Sequence, residues 1–243
     1  MARHQPRQRS TSAQVEELVR KLAANGEKRV PNEDLLASEL GVSRPTIRTA
    51  LQALQRDGLI RRRHGTGTLI NHFAFGRDTT SITAERDIMA HIKECGHEPR
   101  LESVAVIPSV THEGAGAELG VSADEPLCEI RRVYTAGEVP AVLTYEYIPE
   151  TYIHVPAEAR VPSRTILDFV AACTEFRVAY TVTSLVPAVA DAEVASALDL
   201  PPGTPILCFD SLQIASTETR VAFSRSWVSY GVVRYCVVRD QGG

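Results

Sequence analysis

No run of 18 or more apolar residues occurs in the 243-residue chain, so no membrane-spanning helix is expected. Arg3-His4-Gln5-Pro6-Arg7 has no apolar segment behind it and does not read as a secretory signal. Cysteine is sparse: Cys95, Cys128, Cys173, Cys208 and Cys236 are odd in number and widely spaced, with no Cys-x-x-Cys pair. That pattern fits reduced thiols in a cytoplasm and not a disulfide framework. The seven histidines show neither His-x-x-x-His nor a Cys/His zinc spacing, so no metal is expected. There is no Gly-x-Ser-x-Gly elbow, and Gly65-x-Gly67 lacks the Lys-Ser/Thr of a phosphate loop. No catalytic set, cofactor site, repeat or low-complexity tract stands out. The whole chain, 44% hydrophobic and 23% charged, has an ordinary globular composition for one large domain or two modest ones.

What is present is a division of charge. Residues 1–72 carry 13 Lys/Arg against 7 Asp/Glu, whereas 73–243 carry 13 against 23. The net +6 and −10 hidden inside a total of −4 suggest a nucleic-acid-binding piece joined to something else.

The basic part reads as three helices and a hairpin. Ser12 is placed to cap a first helix, Val15, Leu18, Val19 and Leu22 repeat at helical spacing, and Asn25-Gly26 stops it. Asn32 caps a second helix, with Glu33 and Asp34 at its positive end and Leu35, Leu36 and Leu40 as its apolar stripe. After the Gly41-Val42 turn, Ser43 caps a third helix whose Ile47, Ala50, Leu51 and Leu54 face a core. Leu59 to Arg63 and Thr68 to Ile70 form strands around a His64-Gly65-Thr66-Gly67 turn. This order predicts a winged helix-turn-helix. Arg44 and Arg48, one turn apart, can reach one major groove, where a bidentate Arg–guanine contact discriminates by about 1–3 kcal/mol. The hydroxyls of Ser43, Thr46 and Thr49 suit phosphate contacts. At the wing, Gly65 and Gly67 let backbone approach DNA on either side of Thr66, and Arg62, Arg63 and His64 favour phosphates. The Arg61–Arg63 run fits a charged edge that blocks aggregation as well.

Residues 12–70, from Pro31-Asn32-Glu33 through Ser43-Arg44-Pro45-Thr46-Ile47-Arg48 to Asp57-Gly58-Leu59-Ile60 and His64-Gly65-Thr66-Gly67-Thr68, resemble the N-terminal domain of the GntR family of bacterial transcription regulators. In this register Asp34 stands where many relatives have a DNA-contacting Arg, which implies loss of that contact. Pro45 replaces a frequent Thr or Ser, and the connector before Pro31 is short.

Residues 73–82 read as a linker, leaving 1–72 as a DNA-binding domain and 83–243 as a second domain. A helix is expected from Thr83 through Cys95. Strand-like runs follow at 101–107, 127–135, 140–148, 178–189, 205–215 and 220–239, with short helices at 113–119, 163–173 and 191–199. The class is α+β with a mainly antiparallel sheet. Ile130 to Tyr134, Val139-Pro140, Tyr147-Ile148-Pro149, Gly203 to Leu207, Phe223-Ser224 and Arg234-Tyr235 resemble the UTRA domain of the HutC-type branch of that family. The resemblance implies a chorismate-lyase-like fold that binds a small, often anionic effector and controls paired DNA-binding domains. It places Arg132 at the first Arg of an anion-holding Arg-x-Arg strand, with Tyr134 at the second. Thr144 and Ala222 stand where sugar-phosphate sensors commonly have Glu, Ser163 matches a helix-opening serine, and Ser224 completes the implied set. Arg132 equally fits an ion pair with Glu129 or Glu146. The whole implies a homodimeric regulator, in the main a repressor, on a pseudo-palindromic double-stranded operator in the cytoplasm. The alternatives are a ligand-independent dimeric repressor and a lyase-like enzyme domain fused to a DNA-binding module.

Overall fold

The structure is a computed structural model and describes residues 11–63, 67–75, 80–81, 87–160 and 163–237. The chain divides into two compact units, Met1–Glu85 with Tyr235–Gly243, and Arg86–Arg234.

The first unit contains α1 (Thr11–Ala24), α2 (Glu33–Leu40) and α3 (Arg44–Arg56). The Asn32 side chain accepts from the Leu35 amide and that of Ser43 from the Thr46 amide, so the helices at the turn begin on satisfied caps. Gly41 ends α2 at φ 65°, a left-handed conformation that a side chain would strain. Val15, Val19, Leu36, Ile47, Ala50, Leu51 and Leu54 close over Leu59, Ile60 and Ile70. β1 (Ile60–Arg63) and β2 (Gly67–Ile70) pair antiparallel, with Arg63 opposite Gly67. Ser12 falls inside α1 and does not cap it, because the helix already includes Thr11. The stretch after Ile70 carries α4 (His72–Phe75) and β3 (Thr80–Ser81).

In the second unit β4 (Pro99–Val110), β5 (Leu127–Ala136), β6 (Val139–Pro149), β7 (Val178–Val189), β8 (Pro205–Ala215) and β9 (Arg220–Val228) make one sheet. Its order is β4-β5-β6-β9-β8-β7 and every pairing is antiparallel. Helices cover both faces. On one, α7 (Ile166–Cys173) packs Phe169 and Val170 against Cys128, Ile130, Ile148 and Ala222. On the other, α6 (Glu113–Leu119) covers Tyr147 and Phe223, and α8 (Ala192–Ala197) covers Leu143 and Trp227. Within the helix expected from Thr83 through Cys95, α5 (Ile88–Glu94) starts where the Asp87 side chain accepts from the Ala90 amide, and residues 82–86 lie outside the described residues. Likewise Thr165 and Asp191 cap α7 and α8, which therefore start after the residues read as their beginnings. The run 220–239 is not one strand. The amides of Val232 and Val233 bond back to the Ser229 carbonyl, turning the chain before the short β10 (Tyr235–Cys236), which pairs in parallel with β3.

β4 and β7 are the sheet edges. β7 contains no Asp, Glu, Lys or Arg, and it exposes Tyr180, Val182, Leu185, Val186 and Val189.

Leu51 is 1% exposed in the first unit's core and Leu35 is 48% exposed on α2. Leu51→Ala is expected to lose about 2–5 kcal/mol, and Leu35→Ala less than about 1 kcal/mol. Urea unfolding followed by helical circular dichroism checks this. The chain's one tryptophan, Trp227, lies in the other unit, and its fluorescence transition should not move.

Candidate DNA-reading face and effector site

The start of α3 presents Ser43, Arg44, Thr46, Arg48 and Thr49 to solvent, away from the buried stripe of Ile47, Ala50 and Leu51. Pro45 fits this first turn, where a missing N–H leaves no helical bond unmade. Three of the hydroxyls also serve the helix. Ser43 Oγ lies 2.8 Å from Thr46 Oγ1, and Thr49 Oγ1 donates to the Pro45 carbonyl at 3.1 Å.

The arginines are held by acids of α2. Arg44 Nε lies 3.0 Å from Asp34 Oδ1. Glu33 Oε2 accepts from Arg48 Nε and Nη2 at 3.3 and 3.1 Å, and Glu33 Oε1 accepts from Arg62 Nη2 at 3.1 Å. One carboxylate thus joins α3 to the wing strand. The hydrogen bond from Arg48 is the main reason the Glu33 carboxyl sits below the usual carboxylate range; desolvation opposes it, and the charges of Arg48 and Arg62 add to it. From the sequence, Glu33 and Asp34 read as partners of the positive end of α2, and Asp34 also as a lost DNA contact. The arginines lie 10 to 29 residues away, and no local spacing signals such pairs. Of the wing residues, Arg63 ends β1 opposite the exposed Gly67, and His64, Gly65 and Thr66 lie outside the described residues.

In the second unit the five expected effector residues gather at one place. β5 and β6 put Arg132 opposite Thr144 and Ile130 opposite Glu146, and β9 puts Ser224 opposite Glu146. Alternation then sets Arg132, Thr144, Glu146 and Ser224 on the sheet face that α7 covers. The loop entering α7 closes over them: Arg132 Nε donates to the Ser163 carbonyl at 3.1 Å and the Tyr134 hydroxyl to the Arg164 carbonyl at 3.0 Å. Ser163 Oγ is turned to the Thr165 carbonyl, 3.0 Å away.

Arg132 has no exposed side-chain surface, and its Nη1 forms an ion pair with Glu146 Oε2. Of the two acids that fitted an ion pair with Arg132, Glu146 is the partner; Glu129 pairs with Arg131 instead. Nη2 of Arg132 and Oγ1 of Thr144 are buried without a hydrogen-bond partner among the described residues. Burial pushes the Arg132 guanidinium below the usual arginine range, and it raises the Tyr134 phenol to about 12. Glu146 and Gln213, whose Oε1 accepts from Ser224 Oγ at 3.3 Å, join the set. Glu146 was legible by alternation from Thr144, whereas Gln213 needed the strand pairing. Ala222 belongs to the core under α7. Among the described residues no three His, Cys, Asp or Glu side chains are grouped to hold a metal, and no helix is long and apolar enough to cross a membrane.

A winged helix-turn-helix followed by a six-stranded antiparallel sheet with a buried polar site is the architecture of a DNA-binding regulator with a second, separate domain. Residues 8–70 match the model of bacterial regulatory proteins of the gntR family, and residues 94–230 match the UTRA domain. The chain belongs to the GntR family and carries the UTRA domain expected of its HutC-type branch. It is 30% identical over 223 residues to the HTH-type transcriptional regulator RB1450 of Rhizobium meliloti (strain 1021), spanning 88% of each chain. It is 28% identical over 231 residues to the HTH-type transcriptional repressor NagR of Bacillus subtilis (strain 168), spanning 93% of this chain and 92% of that one. The crystal structure of possible transcriptional regulator YydK from Bacillus subtilis subsp. subtilis str. 168 shares the fold, with a TM-score of 0.67, 16% identity, and 95% and 99% of the two chains covered. All three carry the names of transcriptional regulators.

The buried pair makes a stability prediction. Arg132→Met leaves Glu146 buried without its partner and should lose about 3–5 kcal/mol, whereas Arg132→Met with Glu146→Leu should recover most of the loss. The Trp227 fluorescence transition in urea measures both. A double variant no more stable than the single one would contradict the pairing.

Proposed function

We propose that this transcriptional regulator is a homodimeric repressor, released from or tuned on its operator by a small anionic effector bound at Arg132. Residues 1–72 read DNA, 73–82 join the domains, and 83–243 bind effector and dimerise. Arg44 and Arg48 address base edges in the major groove, while Ser43, Thr46, Thr49, Arg62, Arg63 and the wing residues His64 to Gly67 address phosphates. The repressor sense is supported by the similarity to NagR, which is named as one.

The observation that carries the effector reading is the unmatched donor capacity at Arg132. A buried charged group with an unpartnered Nη2, next to an unpartnered Thr144 hydroxyl, is far more costly alone than with an anionic group accepting from it. Glu146 and Ser224 on the same face suit hydroxyl or amine groups of the same ligand. Where sugar-phosphate sensors commonly carry Glu, this face has Thr144 and Ala222, so the effector differs from an amino-sugar phosphate.

Thermal unfolding of the full chain against a panel of small carboxylates and phosphorylated metabolites tests this. One class should raise the Trp227 transition and lose its effect in the Arg132→Met, Glu146→Leu protein. If no class does, the domain works as a dimerisation module without a ligand.

Dimerisation is supported by β7. Half of the ten exposed large hydrophobics among the described residues lie on this uncharged edge strand. A bare edge of this kind pairs with another strand, and around a two-fold axis β7 is its own antiparallel partner. Static light scattering should give twice the 26.5 kDa chain mass, falling to one chain in Leu185→Lys. A dimer that survives the lysine would place the interface elsewhere.

A further inference from the structure

Two exposed arginines of α3 are each met by an acid of α2 in a specific way. Asp34 Oδ1 lies 3.0 Å from the Nε of Arg44, an ion pair at the inner edge of that guanidinium. Glu33 occupies Nε and Nη2 of Arg48, leaving Nη1 open, and is itself tied to the wing by Arg62. Both arginines keep 57% of their side-chain surface exposed, so these pairs contribute little to stability. Their effect is on orientation and charge. An arginine side chain has many rotamers, and a carboxylate at its Nε restricts that freedom while the far donors stay available to a base edge. The same carboxylate opposes phosphate contact, since it competes for the guanidinium and repels the phosphate charge.

We propose that Asp34 and Glu33 are specificity-determining positioning residues. They hold Arg44 and Arg48 for base-edge contact and penalise phosphate contact, lowering affinity for DNA in general while sharpening the choice of sequence. This rests on the reading of α3 as the recognition helix. It changes the meaning of Asp34, which is then more than a lost DNA contact.

Asp34→Asn is the cleaner variant, because Asp34 keeps 65% of its side-chain surface exposed; Glu33→Gln is the second. Two readouts are needed: salt-dependent binding to a random-sequence duplex, and selection of preferred sequences from a random-duplex pool. Freeing one arginine for a phosphate should steepen the log–log salt slope by about one and tighten random-duplex binding about 5–10-fold near 0.1 M salt. At least one guanine position selected by the unsubstituted protein should lose its preference. The melting temperature checks that the variants stay folded. Unchanged random-duplex binding and salt slope, or an unchanged selected sequence, in both variants would overturn the proposal. If the unsubstituted protein binds duplex with a strong salt dependence but enriches no sequence, α3 is not a base-reading helix. The positioning role then falls with that reading and not through the acids.

Discussion

A guanidinium with no exposed surface must be satisfied where it stands, and Arg132 imposes that constraint on the second unit. Its charge is met by Glu146 on the neighbouring strand and its Nε by the Ser163 carbonyl at the entrance to α7. The β5–β6 register is therefore under electrostatic as well as apolar control, since a one-residue slip would send Arg132 and Glu146 to opposite faces. Tyr134 repeats the tie one step along the strand by donating to Arg164. The loop over the sheet is thus held by the same side chains that offer the free Nη2 and Thr144 hydroxyl. A ligand at those atoms bears directly on that loop.

The first unit solves a different problem. Its core is small, so the surface of α3 is free to carry function, and the capped turn between α2 and α3 fixes where that surface begins. Cations on this unit provide the attraction to phosphate that any DNA-binding protein needs. The acids of α2 restrain that attraction at the positions best placed to read bases. The excess of acid in residues 73–243 has the same sense at a larger scale, because negative charge there disfavours contact with DNA.

Most of the fold was legible because it is written in local signals. Asn32, Ser43 and Gly41 mark helix ends by capping chemistry that acts within four residues, and β5 to β9 stand out as runs rich in apolar and β-branched residues. Errors fell where a nearby residue had equal claim to the same role. Ser12 gave way to a helix that includes Thr11, and Asp87 caps α5 within the stretch expected to be helical from Thr83. The break after Val228 depends on backbone bonds to Ser229, and the β3–β10 pair joins distant parts of the chain, so neither has a local signature. The candidate sites divide in the same way. Arg132 and Thr144 come with the resemblance to the UTRA domain, and Glu146 follows from Thr144 by alternation. The hold of Asp34 and Glu33 on the arginines depends on the angle between α2 and α3, which no spacing encodes.

If Arg132 holds the effector as proposed, occupancy at Arg132 and occupancy of the operator are one linked equilibrium. Fluorescence anisotropy of a labelled duplex carrying the sequence that the protein selects, titrated with and without a saturating metabolite that stabilises the second unit, measures it most directly. Operator affinity should change at least 5-fold with the metabolite, the lower bound of typical coupling, and the change should be lost in the Arg132→Met, Glu146→Leu protein. Identical isotherms with and without the stabilising metabolite would contradict it.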